Sequence, residues 1–493
     1  MRPEMTASLS GRTAAAPPGE DPPVLAVDLD GTLLRTDLLW ECFCAALGRD
    51  WRILWQAPLA LLTRGRAGLK RMLAGRAMPE VATLPFNPAV LEAVRRWREN
   101  GGRTVLVTAS DVQLAEAIAA HLGLFDEVHG SDGTHNLKGE AKADFLESRF
   151  GRGGFLYAGD AAADLPVWSR AAGAWVVSPS GGLRRRAEAL SPRVEVLPSG
   201  RGDWRDWLRA LRPHQWLKNL LVFLPLLAAH RFDPAGWGLA LLAFLAFSST
   251  ASGVYLFNDL LDLSADRAHP RKRQRPFAAG RLPLAGGIAA GVGLLLLGFA
   301  IGLAAGKTFL MALLAYLVLT SAYSLRLKRH AVIDICTLAA LYTLRIIAGA
   351  LACDLTLTVW LLSFSVFFFL SLATVKRQAE LVDLQSRGQL EAQGRGYHVE
   401  DLPIIAPIAL ASGYVSVLVL ALYLNSPNVL VLYRTPQILW GICFVLLYWI
   451  TRTVMLAHRG LMHDDPLVYA VKDRVSLACF GLIVVLAAAG TVV

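Results

Sequence analysis

The stretch NDLLDLSADRAHPRKRQRPFAAG, Asn258 to Gly280, decides how the chain reads. It lies between two apolar runs, Gly238 to Phe257 and Leu284 to Ala305. Asp259, Asp262 and Asp266 stand three and four residues apart, a spacing that shares one face of a helix. Arg267, Arg271, Lys272, Arg273 and Arg275 follow at once. Carboxylates this dense repel one another unless a divalent cation lies between them. Hard oxygen donors suit Mg2+, which completes its shell with waters and phosphate oxygens. Guanidinium groups alongside would take further phosphate oxygens, two at a time. A solvated loop whose charges only set topology has no need to keep its acids and bases in separate blocks. The stretch therefore reads as a metal–diphosphate site at a membrane face, with Asn258 orienting the acids.

Composition agrees. The 493 residues are 54% hydrophobic and 18% charged, too apolar for an ordinary soluble protein and enough for two or more domains. A net charge of +10 fits either the positive-inside bias of a membrane protein or the binding of anionic substrates and headgroups. The basic residues are scattered through membrane loops, which argues against nucleic acid as a partner. The six cysteines show no metal or redox spacing: Cys42 and Cys44 form a CxC pair, and Cys336, Cys353, Cys443 and Cys479 sit in apolar runs. Each is expected to be a small buried hydrophobe. Residues 1–23, rich in Ala, Pro and Gly, read as a disordered N-terminus and not as a secretory signal.

Outward from the opening stretch, apolar runs long enough to span a bilayer fall at 215–231, 238–257, 284–305, 308–325, 331–352, 357–375, 402–424, 436–456 and 474–492, about nine in all. Basic residues crowd the segments Arg267–Arg281, Arg326–Arg329, Lys376–Arg395 and Arg459–Lys472, whereas the opposite loops hold little beyond Arg231, Lys307 and Arg434. The positive-inside rule puts the basic face, with the N-terminal domain, in the cytoplasm, and an odd count leaves Val493 outside. The expected location is the inner (cytoplasmic) membrane. Trp204 to Arg212 (WRDWLRALR), after a Gly-, Ser-, Pro- and Arg-rich stretch from Ser178 to Gly202, suits an interfacial helix.

The remaining polar residues of note fall on the same face. They are Tyr323 and Lys328 in YSLRLK, then Asp334; Lys376, Arg377, Glu380 and Asp383 in KRQAELVD; and Asp464, Asp465, Lys472 and Asp473 in HDDPLVYAVKDR. Arg326, Arg329 and Arg452 read as interfacial anchors. Asp334 and Arg345 lie within an apolar run, where ionisable groups are costly; they are either functional or an ion pair across three turns.

The N-terminal part has a different grammar. Val24 to Leu29 is a strand-length apolar run ending in DLDGTLLRTD, with Asp28 and Asp30 flanking Leu29. Two carboxylates so placed can divide the work, one attacking phosphorus and one handling the leaving-group proton. Val105 to Val107 reads as a second strand, ending in Thr108, Ala109 and Ser110, whose hydroxyls could bind a phosphoryl group. Leu156 to Asp160 reads as a third, followed by Asp164; both aspartates could hold Mg2+ with Asp28. Lys138 and Lys142 lie between the second and third strands. Every one of these groups falls at the carboxyl end of a strand, where open α/β sheets bind ligands.

DLDGT, a hydroxyl after a strand, a lysine and GDxxxD, in that order, resemble the haloacid-dehalogenase superfamily across residues 24–195. The resemblance implies an α/β Rossmann-like phosphatase fold with a helical cap at about 38–80, a segment that carries Trp40, Phe43, Trp51 and Trp55. Such a cap would either lie on the membrane or pack these aromatics inside. The resemblance further implies Asp28 as nucleophile, Asp30 as general acid/base, Thr108 for phosphate, and Lys142 over Lys138 for neutralising the phosphoryl charge. Asp28, the Asp30 carbonyl and Asp160 would ligate Mg2+, with Asp164 in support.

The C-terminal part, 213–493, after a linker and interfacial helix at 196–212, resembles the UbiA-type intramembrane prenyltransferases, an all-α multispanning fold. NDxxDxxxD follows the second span, a Tyr-Lys motif the fourth and an acidic motif the sixth. RPHQWLKNLLVF at 212–223, ADRAHPRKRQRPFAAG at 265–280 and KRQAEL resemble the decaprenyl-phosphate phosphoribosyltransferase branch. That branch moves phosphoribosyl from phosphoribosyl pyrophosphate to a polyprenyl phosphate. The resemblance implies Asp259, Asp262 and Asp266 for Mg2+ and diphosphate. It implies Lys218, Lys272, Arg273, Arg275, Tyr323, Lys328, Lys376, Arg377, Glu380 and Asp383 for the substrates. Glu380 and Asp383 make a weak second acidic motif, and the added positive charge suits three phosphate groups.

Together the halves suggest a bifunctional enzyme whose first domain removes the 5-phosphate that its second has placed on the lipid. An aromatic prenyltransferase using a polyprenyl diphosphate, a transporter, and an inactive docking domain are the rivals; a homo-oligomer stays open.

Overall fold

The computed structural model describes residues 24–131, 136–178, 180–390, 395–462 and 465–492. The expected disordered segment 1–23, Asp464 and Val493 lie outside the described residues. The chain divides into two compact units: residues 24–207 with 259–287, and 208–258 with 288–492.

The first unit is built on a six-stranded parallel sheet of order β3-β2-β1-β4-β5-β6. The strands are β1 (Val24–Val27), β2 (Thr104–Asp111), β3 (Glu127–Ser131), β4 (Phe155–Gly159), β5 (Gly173–Val176) and β6 (Val194–Val196). The central strands are apolar in every position because helices cover both faces, as a parallel sheet requires. All run the same way, so Asp28, the end of β2 and Asp160 emerge along one edge. The stretch from Ser178 carries the end of the domain, which was expected to run to residue 195. Helix Gly181–Leu190 buries Leu183 and Ala187, and β6 closes the sheet. Three residues reading VEV are too short and too polar to announce a strand by pattern.

The cap is two helices, α1 (Leu38–Arg49) and α2 (Ile53–Arg76). Asp37 caps α1, accepting from Leu39 N at 2.8 Å. The cap aromatics divide. Trp40 and Phe43 pack edge to face at 5.7 Å, whereas Trp51 and Trp55 are exposed.

Residues 259–287, expected to belong with the membrane half, group instead with the α/β domain. A buried fork explains this: Arg267 donates to both oxygens of Glu41 on α1, at 3.0 and 2.7 Å. Phe277 and Leu282 are buried in the same segment, and Phe277 meets Trp207 edge-on. A guanidinium this buried needs a carboxylate, and Glu41 supplies it from 226 residues away.

In the second unit and its connections, eight helices among the described residues are long and apolar enough to cross a membrane. They are Pro234–Leu261, Leu284–Ala305, Lys307–Leu325, Ile333–Ala352, Val359–Ser386, Val399–Leu424, Pro436–His458 and Arg474–Thr491. The expected span at 215–231 is not among them. Pro213–Phe223 forms a 3-10 segment and Leu224–Ala228 one short helix, with Pro213 and Pro225 at their starts. Each proline lacks the N–H that a continuous helix needs. The odd count that placed Val493 outside therefore falls to an even one. Five cysteines are buried as expected, but Cys336 is exposed.

Candidate active sites

In the first unit, a cavity of about 380 Å³ opens at the carboxyl edge of the sheet and is lined by Asp28, Asp30, Asp160 and Asp164. Asp28 Oδ1 accepts from Lys142 Nζ at 2.8 Å, and Lys142 also donates to the Tyr157 hydroxyl at 2.8 Å. Burial works against the Lys142 charge, yet Asp28 and then Asp164 outweigh it and hold the ammonium pKa above its ordinary value. Asp164 accepts from Tyr157 and from the Asp160 and Ala161 amides, so it braces the loop. Asp30 accepts from Leu38 N at 2.8 Å and from the Ser110 hydroxyl. Burial first, then Asp37, raises its pKa to about 7, which suits a group that gives and takes a proton near neutrality.

Asp28, Asp160 and Asp164 each offer a carboxylate oxygen, and these lie within 4.8 Å of one another. Burial, then Asp28, pushes Asp160 up to about 7 against the opposing charge of Arg201. This donor set fits a hard divalent cation. Gly31 makes the approach possible: its φ is +78°, and a Cβ there would stand 2.4 Å from Asp160 Oδ2. Gly31→Ala is expected to displace Asp160 and to cut metal-dependent phosphate release by about 100-fold, since misplacing a reacting group by an ångström costs on that order. Phosphate release titrated against Mg2+ checks it.

Thr108 is not where the resemblance would put it. Its side chain is fully buried, and its hydroxyl accepts from Ser110 N at 3.0 Å. The hydroxyl that reaches Asp30 is that of Ser110. Lys138 lines the cavity with Lys142. Sequence reasoning passed over Lys70, which enters from α2 and donates to the Ala109 carbonyl at 2.6 Å.

The acids of the opening stretch do not form a three-carboxylate cradle. The first helix ends at Leu261, and Asp262 has φ −96° and ψ 15°, so the shared helical face breaks there. Among the described residues these three are not gathered at metal-holding distance. Instead Arg275 Nη1 joins Asp259, at 3.1 Å, to Asp266, at 2.6 Å, and both acids are buried. Burial raises the Asp266 pKa even though Arg275 opposes it. Lys272 and Arg273 are exposed beside them.

In the second unit, two charge clusters stand out. Asp465 accepts from Lys218 at 2.8 Å, from Lys376 at 3.0 Å and from the Tyr342 hydroxyl at 3.3 Å. Burial alone would raise its pKa, but Lys376 and Lys218 hold it well below the usual carboxylate range. In the other cluster, Arg377, fully buried, meets Asp334 at 2.8 Å and also Glu380. Arg395 approaches Glu380 at 3.4 Å, and Tyr323 donates to Asp334 at 2.8 Å. Asp334 and Arg345 are therefore not a mutual pair; Arg345 donates to Asn219 at 2.8 Å. Arg452, expected to be an anchor, forks onto Asp473 at 2.7 and 3.1 Å. Asp383 pairs with Arg387 at 2.7 Å instead of joining Glu380. Asn258 donates to Ser324 at 3.1 Å, and Lys328 lies in the turn Leu327–Arg329.

The profile of the UbiA prenyltransferase family matches residues 219–469, the span that carries most of these charged residues. The chain belongs to the UbiA prenyltransferase family. Residues 25–169 match the haloacid dehalogenase-like hydrolase profile. An uncharacterized protein of Sinorhizobium fredii, y4nM, is 40% identical over 92% of this chain and 88% of its own length. Nodulation protein NoeC of Azorhizobium caulinodans is 39% identical over 55% of this chain and 89% of its own. The decaprenyl-phosphate phosphoribosyltransferase of Mycolicibacterium smegmatis is 40% identical over 35% of this chain and 56% of its own.

This UbiA-family chain is thus a multi-pass membrane protein with a haloacid dehalogenase-like domain. The sequence marked Asp465 and Arg395 as charged residues of note but not their partners: Asp465 pairs with Lys218 and Lys376, 247 and 89 positions away. Gln378 is fully buried, with both amide atoms unpartnered among the described residues. Asp465→Asn is expected to destabilise the fold by about 3 kcal/mol, because it leaves the buried Lys218 and the half-buried Lys376 without their carboxylate. Thermal unfolding in detergent measures it.

Proposed function

We propose that the chain is a bifunctional enzyme of polyprenyl-phosphate ribose synthesis. Its membrane half transfers 5-phosphoribosyl from phosphoribosyl pyrophosphate to a polyprenyl phosphate, and its first domain then removes the 5-phosphate. The observation that carries the transfer reading is the charge balance around Glu380. Both Glu380 and Asp334 are engaged by Arg377 and Arg395, so these carboxylates are already neutralised and offer little to a metal, while Lys218 and Lys376 outnumber Asp465 in the neighbouring cluster, an excess that suits phosphate. Similarity to a decaprenyl-phosphate phosphoribosyltransferase, 40% identity over 35% of this chain, supports it.

In the transfer, an oxygen of the lipid phosphate attacks C1 of ribose as the bond from C1 to pyrophosphate breaks. The polyprenyl tail would lie in the bilayer. Arg275, Lys272 and Arg273 would take the departing charge, and Asp259 and Asp266 orient Arg275. Mg2+ would enter there with the diphosphate as part of the substrate. In the hydrolysis, Asp28 attacks the 5-phosphoryl group and Asp30 protonates the leaving oxygen; Asp30 then draws a proton from the water that releases phosphate. Lys142 holds Asp28 and offsets the phosphoryl charge. A cation held by Asp28 and Asp160, with Asp164 behind, would supply Lewis acidity to that phosphoryl group. By the positive-inside rule, the basic face and the hydrolase domain would lie in the cytoplasm, at the inner membrane.

The deciding experiment gives purified protein phosphoribosyl pyrophosphate with polyprenyl phosphate in one arm, and a polyprenyl diphosphate with an aromatic acceptor in the other. A ribosylated lipid in the first arm alone is expected. Prenylated aromatic product alone would sink the transfer reading and leave the commoner family chemistry.

A further inference from the structure

Arg35, Arg201 and Arg281 reach the Asp28 cavity from three separate segments of the first unit. Their convergence is built into the backbone. Gly200 and Gly280 each immediately precede one of these arginines and have φ of +66° and +67°. Arg35 fills the space above both. A Cβ on Gly200 would stand 2.3 Å from Arg35 Nε, and one on Gly280 would stand 2.8 Å from Arg35 Cβ. The Gly202 amide donates to the Arg281 carbonyl at 2.8 Å, joining the two arginine-bearing segments. Arg201 rests on Asp160 at 2.5 Å and Arg281 on Asp206 at 3.0 Å. Arg35 Nε, by contrast, is buried and has no hydrogen-bond partner among the described residues. Gathered like charge with an unmet donor is costly unless an anion completes it. A phosphoryl group at Asp28 would meet Lys142, which donates to Asp28 itself, so it leaves the three guanidinium groups for another anion.

We propose that Arg35, Arg201 and Arg281 form a second anion subsite, so that the substrate carries two phosphoryl groups. One is hydrolysed at Asp28; the other, a phosphate or phosphodiester, is held by the three guanidinium groups. Trp40, Pro283 and Leu284 line the same cavity, giving an apolar wall beside that subsite. The proposal rests on the hydrolase reading of the Asp28 centre and names the class of compound that centre takes.

The test measures binding calorimetrically to full-length Asp28→Asn protein in nanodiscs with Mg2+. The ligands are ribose 5-phosphate, ribose 1,5-bisphosphate and a short-chain polyprenyl phosphoribose 5-phosphate. The bisphosphate is expected to bind about 10- to 100-fold tighter than the monophosphate, the gain of charge-assisted bonds to a second group. Arg35→Met, and independently Arg281→Gln, should bring that ratio close to one, and Arg35→Lys should restore part of it. Equal affinities in the parent, or a ratio that survives both substitutions, overturn the subsite. If the lipid binds tighter than the soluble bisphosphate, the second group is a lipid phosphodiester; equal binding makes it a free phosphate. Phosphate release by the unsubstituted protein is scored separately. Its absence with the preference intact would sink the hydrolase reading and spare the subsite, while release without preference would do the reverse.

Discussion

Asp28→Asn protein, supplied with phosphoribosyl pyrophosphate and polyprenyl phosphate, is expected to accumulate the phosphoribosyl lipid and to release no phosphate from it. Asp28 is the carboxylate that Lys142 presents at 2.8 Å, and it is buried beside Asp160 and Asp164. An amide in its place keeps the shape and removes the carboxylate proposed as nucleophile. Losing a nucleophile costs about 10⁴-fold or more in turnover. The transfer half should be untouched, since no step assigned to it uses Asp28. Mass spectrometry of the lipid products reads both results at once. Free phosphate still released from the lipid would show that the 5-phosphate is removed elsewhere.

Asp259→Asn should have the mirror effect. Arg275 spans Asp259 and Asp266 through a single nitrogen, and both carboxylates are nearly inaccessible to solvent. Without one of them, Arg275 loses half of what orients it, and an electropositive group misdirected at a departing pyrophosphate costs about 10²- to 10³-fold. The substituted protein should still release phosphate from preformed phosphoribosyl lipid. That retained activity separates a chemical effect from a failure to fold. Transfer at the parental rate would remove Asp259 from the site.

Much of the architecture was legible because it is written in local pattern. Strand-length apolar runs ending in aspartates predicted the edge where Asp28, Asp30 and Asp160 meet, and runs of about twenty apolar residues marked most of the membrane helices. The departures from expectation turn on details that a spacing pattern does not carry. The 215–231 run is interrupted at Pro225, the Thr108 hydroxyl turns to the Ser110 amide, and Asp262 falls just past a helix end. The spacing of Asp259, Asp262 and Asp266 implies one face only if the helix continues, and it ends at Leu261.

By itself, the sequence determined that the chain joins an α/β phosphatase-like domain to a multispanning transferase-like one, because periodicity and motif order depend only on neighbours along the chain. Tertiary structure alone decided the partners of the buried charges. Glu41 receives Arg267, Asp465 gathers Lys218 and Lys376, and Arg35 lies between Gly200 and Gly280. A charge withdrawn from water takes whichever opposite group the folded backbone brings within hydrogen-bond reach, and one-dimensional order does not encode that distance.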